Sequence, residues 1–361
     1  MPLGDAFGPG TPEEQVASLV DAVIGDPGRR DDLVELLPER SPLYAGRSTR
    51  ATVRMRGYAM AAFGRVGLPE AALPYVLDEL QNGRDAYLVA AAARALSGFA
   101  GPADDAVPFL RQAMENIRDA DDAVSFDTYR PRWPAQGRTT AMEEIQQTLA
   151  WLGPQPGHDS HCCHPPPTGT AESPVRRIAT LLSVTGLDSG PRRGEVPSDV
   201  ELEDQDGRGL TYGDFFAGRP SVVAFFYTRC DNPNKCSLTI SRLAELQRAL
   251  AAEGLRDRVQ TAAITYDPDY DLAPRLRAYG DNRGVTFGPR DRLLRARTGF
   301  ERLEAYFELG VNYGPAVVNR HRIELFLLDE QGRIAATFAR LRWDLDGVLR
   351  QARELAGVGL P

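Results

Sequence analysis

SVVAFFYTRCDNPNKCSLTISRLAELQRALAAE, residues 221–253, decides the fold of half of this chain. Its first eight residues are an unbroken apolar run, the pattern of a central strand covered on both faces; a half-exposed strand would alternate. The run leads into Cys230. A second thiol, Cys236, follows after Asp231-Asn232-Pro233-Asn234-Lys235, a stretch of turn formers. Helical periodicity then predicts a helix over 237–253. Buried strand, cysteine loop and helix in direct succession place both thiols at a helix N-terminus, where the helix dipole favours thiolate.

Outward from this core, VELEDQDGRGLT (200–211) predicts an edge hairpin turning at Asp206-Gly207. Strands are expected at 258–265, 323–328 and 333–339, with a turn over Asp329–Gly332, and helices over 272–280, 291–308 and 343–355. The order of elements is that of a thioredoxin-like α/β domain over residues 195–361.

The N-terminal half has a different character. Thr11-Pro12-Glu13-Glu14 reads as a capping box, with Thr11 at the N-cap, opening a helix through Ile24. Further helices are expected over 31–37, 49–66, 69–82, 85–99, 103–117 and 139–152, and strand signals are absent. Residues 58–80 lie over 89–114 at an offset of 33 to 34 residues: Ala62-Phe63 meets Ala95-Leu96, Pro69 meets Pro102, and Leu73-Pro74-Tyr75 meets Val107-Pro108-Phe109. Small residues where helices cross, and a proline opening the second helix of each pair, predict a short HEAT-like solenoid over 1–153, with a plain helical bundle as the alternative. Residues 154–194 turn to Pro, Gly, Ser and Thr and read as a linker holding a helix over 174–185. The fold class is therefore multidomain, an all-α HEAT-like domain followed by an α/β thioredoxin-like fold.

Composition limits the functions. The 361 residues are 42% hydrophobic and 25% charged, values of a globular protein, and the net charge of −8 argues against a nucleic-acid partner. The start, MPLGDAFGPGTPEEQ, lacks a basic stretch and an apolar core of the signal-peptide kind, and no 18 consecutive apolar residues occur. The expectation is a cytoplasmic protein without a membrane anchor. Four cysteines in a chain of this length do not suit a disulfide-stapled scaffold.

All four cysteines and all four histidines fall into two groups: His158, His161, Cys162, Cys163 and His164 within seven residues of the linker, and Cys230, Cys236 and His321 in the C-terminal domain. Chance scattering would leave several in helix faces or cores, so the grouping favours metal or thiol chemistry. Two thiolates and an imidazole are a soft, low-coordinate set that suits Cu(I), whereas zinc would need a fourth ligand. The linker cluster has enough donors for a coordination sphere of its own, with zinc as one occupant; it fits no zinc-finger spacing. The only lysine, Lys235, adjoins Cys236, where an ammonium would favour thiolate.

Phe226-Tyr227-Thr228-Arg229-Cys230 with Cys236, Thr265-Tyr266-Asp267-Pro268 with Asp271, and His321 eight residues before Asp329 in HRIELFLLDEQGR together resemble the Sco/SenC family, in family order and at about family spacings. The resemblance implies copper bound by Cys230, Cys236 and His321, although the two cysteines stand five residues apart where the family usually has three. Asp267 is then the expected neighbour of the site, orienting the imidazole or taking part in docking. Three functions follow as expectations. The first is a metallochaperone-like accessory that delivers copper to a protein client, such as a copper enzyme, docked on the helical domain. The second is a thiol-disulfide oxidoreductase or metal-dependent redox enzyme with Cys230 and Cys236 as catalytic residues, working with the linker cluster. The third is a helical scaffold in which metal is only a structural clip.

Overall fold

The computed structural model describes residues 7–127, 129, 137–152, 173–183, 185–186, 195–315 and 317–358. The chain divides into two compact units, residues 1–180 with 313–315 and residues 181–312 with 316–361.

The first unit is built from α1 (Glu13–Gly25), α2 (Thr49–Val66), α3 (Leu73–Asn82), α4 (Ala86–Ser97), α5 (Val107–Ile117) and α6 (Ala141–Leu152). α2 packs on α4 and α4 on α6, while α3 packs on α5. The internal repeat shows in the elements: α3 and α5 each follow a 3₁₀ turn and carry a proline, Pro74 or Pro108, in their first turn. Pro fits there because the first helical N–H groups need no partner within the helix. Small residues permit the close crossing of α2 and α4, since a Cβ on Gly64 would lie 2.6 Å from the carbonyl oxygen of Arg94. Arg56 of α2 is fully buried; it donates to Leu37 O at 2.9 Å and pairs with Glu39 at 2.9 Å and with Glu79.

Two expectations for this unit need correction. The capping box does not form: Thr11 Oγ1 accepts from Gly8 N at 2.9 Å, and Pro12 stands at the N-cap of α1 without a side-chain cap. Residues 31–37 are not an α-helix, because a 3₁₀ segment covers Pro27–Leu36. α7 (Pro174–Ser183) lies where a helix was expected in the linker.

The second unit holds an eight-stranded mixed sheet. Its strands are β1 (Thr185–Gly186), β2 (Glu201–Asp204), β3 (Gly209–Thr211), β4 (Ser221–Phe226), β5 (Gln260–Thr265), β6 (Asp291–Ala296), β9 (Glu324–Leu328) and β10 (Ile334–Ala339), in the order β1-β10-β9-β4-β5-β6-β2-β3. A separate ribbon pairs β7 (Val311–Tyr313) with β8 (Val318–His321). The helices are α8 (Tyr212–Phe216), α9 (Leu238–Ala252), α10 (Ala273–Asp281), α11 (Phe300–Phe307) and α12 (Leu345–Leu355). Every residue of β4, β5 and β9 is buried, as a strand covered on both faces requires. Phe225, Phe307 and Phe326 form an aromatic cluster with ring centroids 4.8 to 5.8 Å apart.

Topology fixes where a site can form. β4 and β5 run parallel with Phe226 beside Thr265, so the loops after both strands leave the same edge of the sheet. β9 runs antiparallel to β4, with Leu325 opposite Ala224, which brings the residues just before β9 to that edge as well. Cys230, Asp267, Asp271 and His321 are thus gathered from three separate stretches of sequence.

The helix expected over 291–308 is a strand and a helix, β6 and α11. Gly299, at φ +72°, breaks the run. The side chain of Asp291 accepts from Thr261 Oγ1 at 2.7 Å, tying the start of β6 to β5. The slot beside a parallel strand thereby overrides the helical spacing of Leu293, Leu294 and Ala296.

Candidate metal centre

The five residues between the thiols are accommodated by one wide turn. Pro233–Ser237 is π-helical and opens directly into α9, with the Asn232 side chain accepting from Asn234 N at 2.9 Å. A π turn takes up more chain than an α turn, which lets the longer loop return Cys236 to the helix start. Cys236 is buried and Cys230 half-buried, and both are free thiols. His321, at the end of β8, is buried between Tyr227, whose ring meets the imidazole edge-on at 5.3 Å, and Tyr266 at 5.6 Å.

The three side chains converge. His321 Nε2 lies 3.4 Å from Cys230 Sγ and 3.6 Å from Cys236 Sγ, and all three donor atoms lie within 4.8 Å of one another. A single ion with sulfur at about 2.3 Å and nitrogen at about 2.0 Å, at tetrahedral to trigonal angles, separates sulfur from nitrogen by about 3.5–3.7 Å and the two sulfurs by about 3.8–4.0 Å. The donor set therefore fits one metal ion in distance as well as in softness.

The thiols are unequal. Cys230 is pulled down to about 3, first by the hydrogen bond with Cys236 and then by the charge and hydrogen bond of His321. Cys236 is pushed well up, chiefly by its complete burial; Lys235 acts in the opposite direction without prevailing. The thiolate thus sits on the accessible sulfur and the proton on the enclosed one.

The neighbours differ from the sequence reading in two respects. Asp267 does not orient the imidazole: its carboxylate accepts from Arg229 Nη2 at 2.5 Å and Nε at 3.1 Å, while His321 Nδ1 faces the carbonyl of Arg322 at 3.2 Å. Lys235 lies buried with Nζ donating to the carbonyl of His321 at 2.9 Å, so it ties the cysteine loop to β8. His158, His161, Cys162, Cys163 and His164 lie outside the described residues.

Two supports had no structural role assigned in the sequence, Asp271 being named there as a motif residue alone. Asp271, fully buried, accepts from the backbone N–H of Thr228 at 3.0 Å and from the hydroxyls of Thr228 and Thr265, joining the loops after β4 and β5. Glu324, also buried, accepts from Tyr266 Oη at 2.6 Å, Arg322 Nε at 2.7 Å and Gly310 N at 2.9 Å, which braces the strand after His321. A carboxylate at the head of the apolar run ELFLL was the available signal, because a charge in a buried strand requires partners.

A thioredoxin-like domain that closes two thiols and an imidazole around one point defines a metal- or thiol-handling module. Residues 190–356 match the family model for SCO1/SenC. Similar solved structures include a SCO1/SenC family lipoprotein from Bacillus anthracis str. Ames, at 22% identity over 45% of this chain and 98% of that one, with a TM-score of 0.38. Bradyrhizobium japonicum ScoI with copper bound is 20% identical over 44% of this chain and 99% of that one, TM-score 0.35. Yeast Sco1 with copper bound is 20% identical over 46% and 92%, TM-score 0.36. A search of the curated proteins finds no match. Among the described residues, no helix is long and apolar enough to cross a membrane.

Proposed function

We propose that the protein is a copper-binding accessory, taking up Cu(I) through Cys230 Sγ, Cys236 Sγ and His321 Nε2 and delivering it to a protein client. The observation that carries the reading is the pair of nitrogen–sulfur separations of 3.4 and 3.6 Å at a soft three-donor centre. The match to SCO1/SenC and the copper-bound Sco structures support it. The half-buried Cys230 gives a client thiol a way in, and ligand exchange between thiolates would pass the ion on. As part of the same proposal, the helical unit is a HEAT-like docking surface for the client, the setting is cytoplasmic, and the cluster at 158–164 is an auxiliary copper or zinc site.

Anaerobic Cu(I) titration against a competing chelator tests the proposal. About one equivalent is expected at the centre, lost in Cys230→Ser and Cys236→Ser and weakened in His321→Ala by more than the ~10–100-fold that loss of a ligand's hydrogen-bond partner alone costs. Tight binding that none of the three substitutions affects would refute it.

The asymmetry of the thiols favours a second reading, thiol-disulfide exchange, in which Cys230 attacks and Cys236 resolves. Reduction of a protein disulfide by metal-free protein, abolished by Cys230→Ser, would support it.

A further inference from the structure

A groove of about 300 Å³ is lined by Thr228, Arg229, Tyr270, Arg275, Tyr279 and Arg283 among others, and Arg229 is the residue that precedes Cys230 in the chain. Three guanidiniums at the mouth of one site stand out in a chain of net charge −8. They are held in place. Arg229 and Arg275 pack against the Tyr270 ring at 3.9 and 3.8 Å, and Arg283 lies 3.4 Å from the centroid of Tyr279. Arg283 also donates to Ser237 Oγ at 3.1 Å and to the carbonyl of Tyr279 at 3.2 Å, and Arg275 to the carbonyl of Tyr270.

Among the described residues, Arg229 pairs with the carboxylate of Asp267, whereas Arg275 and Arg283 contact rings, carbonyls and a hydroxyl and no carboxylate. The groove adjoins the thiols through the chain itself. Thr228 and Arg229 directly precede Cys230, and Ser237, which holds Arg283, directly follows Cys236.

We propose that this groove binds the carboxylates of a small anionic thiol or disulfide and presents its sulfur to Cys230. The volume suits one small ligand, and fixed, stacked guanidiniums are ready carboxylate receptors. With a disulfide, the Cys230 thiolate attacks one sulfur; a protein–ligand S–S bond forms, the ligand S–S bond breaks, and the other half leaves as thiolate carrying the electron pair. The proposal needs Cys230 to be the accessible sulfur of the centre, as in the function proposed above, but not copper itself.

Three disulfides provide the probes: dianionic dithiobis(nitrobenzoate), neutral dithiodipyridine and cationic cystamine. Each is reacted with the metal-free full chain at low salt. Trypsin separates the thiols, since cleavage after Arg229 and Lys235 isolates Cys230 in the peptide CDNPNK, and mass spectrometry of that peptide gives the Cys230 rate alone.

The expected result is a ratio of anionic to neutral rate that falls about fivefold or more in the Arg275→Gln/Arg283→Gln variant and falls likewise with added salt. The charge-matched Arg208→Gln/Arg258→Gln variant should leave the ratio unchanged, and cystamine should show the opposite trend in the groove variant. An unaltered ratio in the groove variant, or an equal fall in the charge-matched variant, overturns the proposal. Cu(I) titration of the wild type and of Cys236→Ser separates it from the metal reading, because loss of copper binding in Cys236→Ser tests that reading whatever the groove does.

Discussion

At the scale of single residues, the centre rests on placing charge at one sulfur. The folded pKa of Cys230 lies far below its ordinary value of 9.0. Its thiolate therefore favours the folded state in full above that ordinary value, and the contribution fades as pH falls toward about 3. Alkylation of metal-free protein with iodoacetamide should modify Cys230 at a nearly constant rate down to about pH 5, while buried Cys236 stays protected. His321→Ala removes a cause of the depression and should move the midpoint of the Cys230 profile upward. A wild-type midpoint between pH 8 and 9, the range of an unperturbed thiol, would contradict this electrostatic account.

At this scale the sequence was legible for identity and less so for contacts. Cys230, Cys236 and His321 stood out because the sequence has no other cysteine or histidine outside the cluster at 158–164. The true partner of Asp267 was hidden, since its pairing with Arg229 depends on where two loops leave the sheet edge. The same holds for Lys235: adjacency to Cys236 suggested an effect on the thiol, whereas the long side chain reaches the His321 carbonyl.

At the scale of elements, periodicity worked wherever an element is local. α2 was expected over the residues it occupies, and SVVAFFYT contains the fully buried β4. It failed at β6, whose spacing reads as helical until β5 offers an open edge, and it did not anticipate β7 and β8, which are short and held by pairing. The crossing of α2 and α4 carries a prediction. Because a Cβ on Gly64 would meet backbone 2.6 Å away, Gly64→Ala should destabilise the helical unit. The cost of such overpacking is about 1–3 kcal/mol, seen as a lower urea midpoint with little change in m-value. Copper binding should be retained. An unchanged midpoint would show that the helices separate easily there and that the close crossing is not a fixed part of the stack.

At the scale of the whole molecule, two units of different class share one chain, and they divide at residues 180 and 181, beyond the composition shift after Gly153. The segments matched at an offset of 33 to 34 residues are helical, although a sequence match alone does not dictate how helices stack. The three donors found among the described residues all lie in the second unit. Replacing His158, His161, Cys162, Cys163 and His164 together by Ala should therefore leave the equivalent of Cu(I) that Cys236→Ser removes. Loss of that equivalent in the fivefold variant would show that the two Cys/His groups form one site.

The central claim is that one copper ion is held by two sulfurs and one nitrogen. X-ray absorption at the copper edge of the Cu(I)-loaded full chain, with the five residues at 158–164 replaced by Ala, measures this directly. The account predicts two sulfur scatterers at about 2.3 Å and one imidazole nitrogen at about 2.0 Å, with the imidazole signature lost in His321→Ala. A shell without sulfur, or a wild-type spectrum that His321→Ala leaves unchanged, would contradict it.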